Sequence, residues 1–267
     1  MSDGGGRGHG AGTGRRVVAV GHRGDPYRER ENTLLSVRSA RQRGADAVEI
    51  DVRLTRDAVP VLLHDATLAR LWGHDRRLAE VTYDELRELT RGQVPTLREA
   101  LLPPPDGAHD VHRGPERGPD GAAEGRLMID LPGATAASVR TVVGAVRECG
   151  AADRVYYCAG PDTMLAVRAA DPQAEIAMTW TTLAPPRPAL LAAVRPRWLN
   201  YRFALVSREL ADRNHRDGLL VSAWTVDTRR SMRRLIERGA DSITTNRIDV
   251  LSDLLRGTHG TPGAVRR

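Results

Sequence analysis

The chain contains no lysine; all 40 of its basic residues are arginine. That excludes Schiff-base chemistry and pyridoxal phosphate anchoring, both of which need an amine nucleophile. Cysteine is almost as scarce, with only Cys149 and Cys158, so there is no thiol cluster to hold a metal. A single Phe and few aromatic residues in all argue against a base-stacking surface. The start reads MSDGGGRGHGAGTGRR in place of an apolar signal segment, and no stretch is long enough to span a bilayer. A cytoplasmic protein without a signal peptide or transmembrane segment is therefore expected. Carboxylates, histidines and arginines are left to carry whatever chemistry there is.

The formal charge of +6 would ordinarily raise nucleic acid as a partner. Here the arginines alternate with acids, as in Arg28-Glu29-Arg30-Glu31, which marks solvated helix faces, so no nucleic-acid partner is expected. At 267 residues the chain suits one large domain. Residues 1–14 are Gly-rich and polar and read as a disordered tail, 257–267 as a second tail, and 103–125 as a flexible Pro/Gly/charged insertion in a domain over 15–256.

The densest signal lies between Val17 and Asp65. An apolar run from Val17 ends in Gly21-His22-Arg23-Gly24; a second, Ala47 to Val52, carries Glu49 and Asp51; a third, Val59 to Leu63, ends in His64-Asp65. A strand alternates faces with period two, so Glu49 and Asp51 point the same way. Two carboxylates on one buried face repel each other and are costly to desolvate unless a cation lies between them, and a hard divalent ion with oxygen ligands meets that need.

Strand and helix signals alternate along the rest of the chain. Strands are expected at 16–22, 47–52, 127–131, 154–159, 175–180, 197–202, 219–226 and 241–245, and helices at 33–44, 136–149, 162–170, 188–194, 207–217 and 228–239. Shorter helices fall at 81–90 and 96–102. Only Arg53 to Val59 separate the second strand from the Val61 run, too few for a parallel crossover, so that run must fold back as a hairpin and deliver His64 on a loop beside the carboxylates. The eight remaining strands fit an α/β fold of the TIM (β/α)8 type with a β-hairpin inserted after strand two; a doubly wound sheet is the other arrangement they allow.

In order, HRG, ENT, EID, TRD, HD, a later acidic strand and WTVD resemble the glycerophosphodiester phosphodiesterase family over roughly Val17 to Asn246. The resemblance implies a TIM barrel that binds Mg2+ or Ca2+ and cleaves a small-molecule glycerophosphodiester to glycerol 3-phosphate and an alcohol. It also implies roles for residues. His22 and His64 match the paired catalytic histidines, Glu49 and Asp51 two metal ligands, and Asp130 the third. Arg23 matches the phosphate-contacting arginine, Glu31 and Asn32 the ENT corner of the site, and Trp224 an aromatic pocket wall.

Several positions depart from that pattern. Arg30 stands where the family has Pro, Asp130-Leu131-Pro132 replaces Glu-x-Lys, Ala58 replaces a turn glycine, and Thr245-Asn246 replaces Thr-Asp. Asp130 keeps a ligand oxygen, whereas Pro132 cannot supply the lysine's charge. Bland readings also stand beside the functional ones. Asp130 could cap the helix that begins near Ala134, Trp224 could be core packing, and a lone strand-end histidine is usually structural. Two rivals remain: a lyase that cyclises lysophospholipids, and a non-catalytic barrel binding a phosphorylated ligand. Oligomeric state is not legible in the sequence.

Overall fold

The computed structural model describes residues 16–102 and 125–258. The segments expected to be tails (1–14 and, beyond residue 258, the end of the chain) and all but Gly125 of the expected insertion lie outside the described residues. The elements follow one another as β1 (Val18–His22), α1 (Leu34–Gln42), β2 (Ala47–Leu54), β3 (Pro60–Leu62), α2 (Ala69–Trp72), α3 (Tyr83–Thr90), α4 (Leu97–Leu101), β4 (Arg126–Asp130) and α5 (Ala136–Glu148). Thereafter strand and helix alternate: β5 (Val155–Ala159), α6 (Pro161–Ala170), β6 (Glu175–Trp180), α7 (Pro188–Val194), β7 (Trp198–Arg202), α8 (Arg208–Arg216), β8 (Leu220–Trp224), α9 (Arg229–Glu237), β9 (Ser242–Thr245) and α10 (Ile248–Thr258).

β1 pairs in parallel with both β2 and β9, which closes β1-β2-β4-β5-β6-β7-β8-β9 into a ring of eight. This is the TIM barrel. β3 lies outside the ring, antiparallel to β2 with Val52 opposite Leu62, as the short connection demands. The hairpin turns through Ala58, a non-glycine residue at φ 61°, where Thr55 Oγ1 accepts from Val59 N at 3.0 Å and donates to Asp57 at 2.6 Å. The alternating signals read from the sequence stop at Thr245; the chain continues into α10, which buries Ile248, Leu251 and Leu254 against the barrel's outer layer.

The helices α1, α3, α4, α5, α8 and α9 begin where a Ser or Thr side chain meets the orphan N–H groups of the first turn. Of the two candidates for α1, Thr33 is the cap, accepting from Ser36 N at 3.2 Å. Thr135 caps α5 and leaves Asp130 free for other work.

The strands' outer faces pack on the helices in one continuous apolar layer. Their inner faces form a smaller cluster of Val20, Ala47, Met128, Tyr156, Cys158, Ala177 and Trp198. Below it, Arg126 donates to Glu175 at 2.8 Å and Trp198 Nε1 donates to the same carboxylate at 2.8 Å, so the N-terminal end of the barrel is plugged by a paired charge. A third cluster, Val61, Leu63, Leu68, Leu78, Val81, Leu86 and Val94, packs the hairpin excursion on α2 and α3. Among the described residues no helix is long and apolar enough to cross a membrane.

Candidate active site

At the end of β1 the chain turns sharply through Arg23 (φ 56°) and Gly24 (φ 93°). A Cβ on Gly24 would collide with Ser36, so only glycine lets the turn lie against α1. The turn aims Arg23 N at Glu49 Oε2 (2.8 Å) and sets the Arg23 guanidinium between Glu31 (2.9 Å) and Asp51 (3.2 Å). Asn32, also left-handed at φ 57°, spends both ends of its amide on Asp51: Nδ2 donates to Oδ2 at 2.8 Å and Oδ1 accepts from Asp51 N at 3.1 Å.

β2 and β4 run in register with Asp51 opposite Asp130. Glu49, Asp51 and Asp130 thereby bring one carboxylate oxygen each within 4.8 Å of one another. Burial first, and then the charges of Asp51 and Asp130, push the Glu49 carboxyl well above the usual carboxylate range. Burial and Asp51 push Asp130 up to about 7. Hard oxygen donors, buried and mutually repelled, fit a divalent cation, which would relieve the desolvation and the repulsion together.

The raised carboxyls make stability depend on pH. A carboxyl whose folded pKa is raised holds its proton more tightly in the folded state than in the unfolded one. Its contribution is fully present below the unfolded value of about 4 and is lost as pH climbs through the folded value. In chelator the melting temperature should therefore fall between about pH 4.5 and about pH 7.5 on account of Asp130 and Glu49. Carboxyls held low, such as Glu31 and Asp65, act in the opposite sense only below about pH 4, while His22, held low by burial, opposes the fall below about pH 6.5, so the fall is clearest above that pH. Mg2+ or Ca2+ should restore stability most at the alkaline end, where the ligands are ionised. A melting temperature that rises across this window in chelator would count against buried, uncompensated carboxylates.

The two histidines line the same cavity as this cluster. His22 Nδ1 lies 2.8 Å from Asn246 Oδ1, which can only accept, so Nδ1 carries the proton and Nε2 is left as the acceptor, 4.0 Å from Glu49. Asp227 in turn receives Asn246 N and Nδ2, both at 2.9 Å. Burial lowers the His22 pKa, against the raising effect of the Asn246 bond. His64 Nδ1 is 2.6 Å from the Asp65 carboxylate, and Arg53 Nε donates to the His64 carbonyl at 2.7 Å. Arg70, on α2, joins the two halves: Nε meets Asp65 at 2.5 Å, while Nη1 and Nη2 grip Glu31 at 3.0 and 2.6 Å.

A cavity of about 340 Å³ opens here, lined by His22, Arg23, Glu49, Asp51, His64, Asp130 and Trp224 among others. Seven of the nine site residues expected from the sequence thus meet in one place. Glu31 and Asn32 do not line the cavity; they brace Arg23 and Asp51 from behind. Pro132 borders the cavity and adds no charge. Asp65, Arg70, Asp227 and Arg53 drew no assignment from the sequence, although Asp65 and Asp227 sit inside the HD and WTVD motifs.

A model of the glycerophosphoryl diester phosphodiesterase family matches residues 22–250. The glycerophosphodiester phosphodiesterase 1 of Rattus norvegicus is 39% identical over 98 residues, which cover 32% of this chain but only 30% of the rat protein. The glycerophosphodiester phosphodiesterase of Caldanaerobacter subterraneus is 25% identical over 253 residues, covering 90% of this chain and 98% of that one. In fold, the chain resembles a phosphodiesterase of Oleispira antarctica solved in complex with its product sn-glycerol-3-phosphate, with a TM-score of 0.72 at 18% identity over 90% of this chain and 96% of that chain.

Proposed function

The chain belongs to the glycerophosphoryl diester phosphodiesterase family, and from that membership we propose that it hydrolyses glycerophosphodiesters to glycerol 3-phosphate and an alcohol. In this reading Glu49, Asp51 and Asp130 hold Mg2+ or Ca2+, and His22 and His64 divide the proton transfers. The observation that carries it is the convergence of three carboxylates, Glu49 and Asp51 buried and Asp130 half-buried, within 4.8 Å of one another in a cavity that two oriented histidines also line.

A phosphodiester is an anion that repels nucleophiles. The bound cation would supply neutralisation of its non-bridging oxygens. Arg23 does the same from a fixed position, its side chain fastened to Glu31 and Asp51, and can meet charge as it builds in the transition state without reorganising. His22 takes the proton of the attacking hydroxyl, because its Nδ1–H is committed to a neutral amide and Nε2 keeps a lone pair. His64 gives a proton to the leaving oxygen, the Asp65 carboxylate lying against its ring whenever the ring is charged. Glu31 and Asn32 act through Arg23 and Asp51 as positioning residues.

The test is release of glycerol 3-phosphate from glycerophosphocholine with Mg2+, Ca2+ or chelator, with a lysophospholipid run beside it. Cation-dependent release supports the proposal; a cyclic phosphate from the lysophospholipid alone would replace it with the lyase. The absence of a basic residue at Pro132 favours a second reading, a barrel that binds the ester without turning it over. Binding with no release under either cation would select that reading.

Arg70 gives a sharper check on the His64 assignment. Its fork holds Asp65 and Glu31 together, so Arg70→Met is expected to lower kcat about 10–100-fold with a smaller change in KM, as loss of an orienting partner does. Arg70→Lys should restore only part, since an ammonium cannot form the fork. An unchanged kcat in Arg70→Met would remove Asp65 and Arg70 from the mechanism.

A further inference from the structure

Six large apolar side chains stand exposed among the described residues: Tyr27, Leu35, Leu102, Leu165, Leu183 and Phe203. Singly, such residues need no explanation. Their placement does need one. Tyr27 lies in the β1–α1 loop, Leu35 in the first turn of α1, Leu183 in the β6–α7 loop and Phe203 in the β7–α8 connection, so four of the six stand at the end of the barrel where the strands finish. β6, β7, β8, β9 and β1 are neighbours in the ring, which puts these four on one side of the mouth. The connections leave the sheet level with one another, Trp180 on β6 being opposite Tyr201 on β7, and Arg202 opposite Trp224 on β8. Leu183 is 60% exposed and Phe203 40%. The loop that carries Leu183 is braced: Trp180 Nε1 donates to the Ala184 carbonyl at 2.7 Å and Arg213 Nη2 to the Leu183 carbonyl at 2.9 Å, which holds the leucine out in water.

From β6 to β8 the charge around these side chains is predominantly positive. Residues 181–187 and 202–206 contain Arg187 and Arg202 and no acid, and α9 opens with Arg229 and Arg230. All four arginines are exposed. Against them stands Glu209 in the first turn of α8, while Asp227, in the β8–α9 loop, is spent on Thr245 and Asn246. Farther round the arc, Arg247 lies over the Tyr27 ring at 5.1 Å. A second copy of this chain would bring arginine against arginine across a two-fold interface. An anionic bilayer accepts both parts, since apolar side chains enter between the head groups while guanidinium groups stay on the phosphates. We propose that this arc docks the mouth of the barrel on an anionic lipid surface, with Leu183, Phe203 and Tyr27 inserted and Arg187, Arg202, Arg229 and Arg230 on the head groups. Trp224 lines the cavity and carries Arg202 over its ring at 5.6 Å, so the cavity opens beside the docked arc. Docking turns the site toward esters held at that surface, a consequence that rests on the phosphodiesterase reading; the docking itself does not.

The test is co-sedimentation of the full chain with vesicles of phosphatidylglycerol mixed with phosphatidylcholine, and with vesicles of phosphatidylcholine alone. Release of glycerol 3-phosphate from soluble glycerophosphocholine is measured beside it. Wild type should bind the anionic vesicles at least about tenfold more tightly than the neutral ones. Leu183→Ser with Phe203→Ser, and separately Arg187→Glu with Arg229→Glu, should each weaken that binding at least about tenfold. Leu165→Ser, which alters an exposed leucine on α6 away from the arc, should leave it unchanged. Every variant should keep the wild-type melting temperature and the wild-type rate on the soluble ester, since none of these residues lines the cavity. Wild type that stays in the supernatant or binds both vesicles alike, or loop variants that bind no worse than Leu165→Ser, would overturn the docking. So would a dimer that Leu183→Ser with Phe203→Ser dissociates, which gives the arc to a second copy. Vesicle binding without hydrolysis of any diester would overturn the catalytic reading and leave the docking standing. Hydrolysis without vesicle binding would do the reverse.

Discussion

Asp51→Asn should reduce glycerol 3-phosphate release at least about a thousandfold while leaving the melting temperature in chelator unchanged or higher. The loss is large because a cation stabilises the transition-state charge by several kcal/mol, and each 1.36 kcal/mol is about tenfold in rate. An amide in place of the carboxylate removes one of the three charged oxygens on which that binding depends. The fold should tolerate the change. Asn32 Nδ2, 2.8 Å from Asp51 Oδ2, can donate to an amide oxygen equally well, and Arg23 keeps its bond to Glu31 at 2.9 Å. Removing the Asp51 charge also removes one of the causes that hold the Glu49 carboxyl up. Thermal melts and titration with Mg2+ or Ca2+ separate the two effects. Marked destabilisation with unaltered cation binding would make Asp51 a structural counter-charge for Arg23 instead of a ligand.

His22→Ala and His64→Ala are each expected to lower kcat about 10²–10⁴-fold with little change in KM, since proton transfer strengthens only in the transition state. The double variant should be barely worse than either single one, because a site missing one proton carrier gains little from the other. The rate against pH should be bell-shaped. Burial holds the His22 pKa below its usual value, so His22 stays neutral, and competent as a base, further into the acid range than a free histidine; the acid limb should lie below about pH 6.5. Asn246→Asp would place a carboxylate on His22 Nδ1 at the position now 2.8 Å away and should move that limb to higher pH. Additive losses in the double variant, or an acid limb indifferent to residue 246, would rule out this division of labour.

Glu49 and Asp51 were legible because two charges at period two among Ala47, Val48, Ile50 and Val52 are too costly for a buried strand unless a cation joins them. The hairpin was legible because chain length forbids the alternative. Asp130 was ambiguous in sequence between ligand and helix cap; the fold gives the capping task to Thr135 and leaves Asp130 opposite Asp51. Trp224 was equally divided between core and pocket, and it lines the cavity. What could not be read depends on closure of the ring. Asn246 reaches His22 across 224 residues only because β9 pairs with β1, and Arg70 meets Glu31 across 39 residues only because the hairpin excursion folds back over the mouth. Neither pairing leaves a periodic trace. α10 escaped because it comes after the last strand, where no further strand signal marks it as half of a strand–helix unit.

His64 is carried not by the barrel but by the excursion after β2, whose apolar residues form a cluster of their own around Val61, Leu63, Leu68 and Leu86. Such a unit can open in a cooperative step cheaper than global unfolding, and its amides would then exchange with solvent deuterium sooner than those of the ring. The working lifetime of the site would be set by that step. Heating could withdraw His64 and the Asp65–Arg70 brace while the eight strands, and every spectroscopic sign of a folded barrel, remain in place.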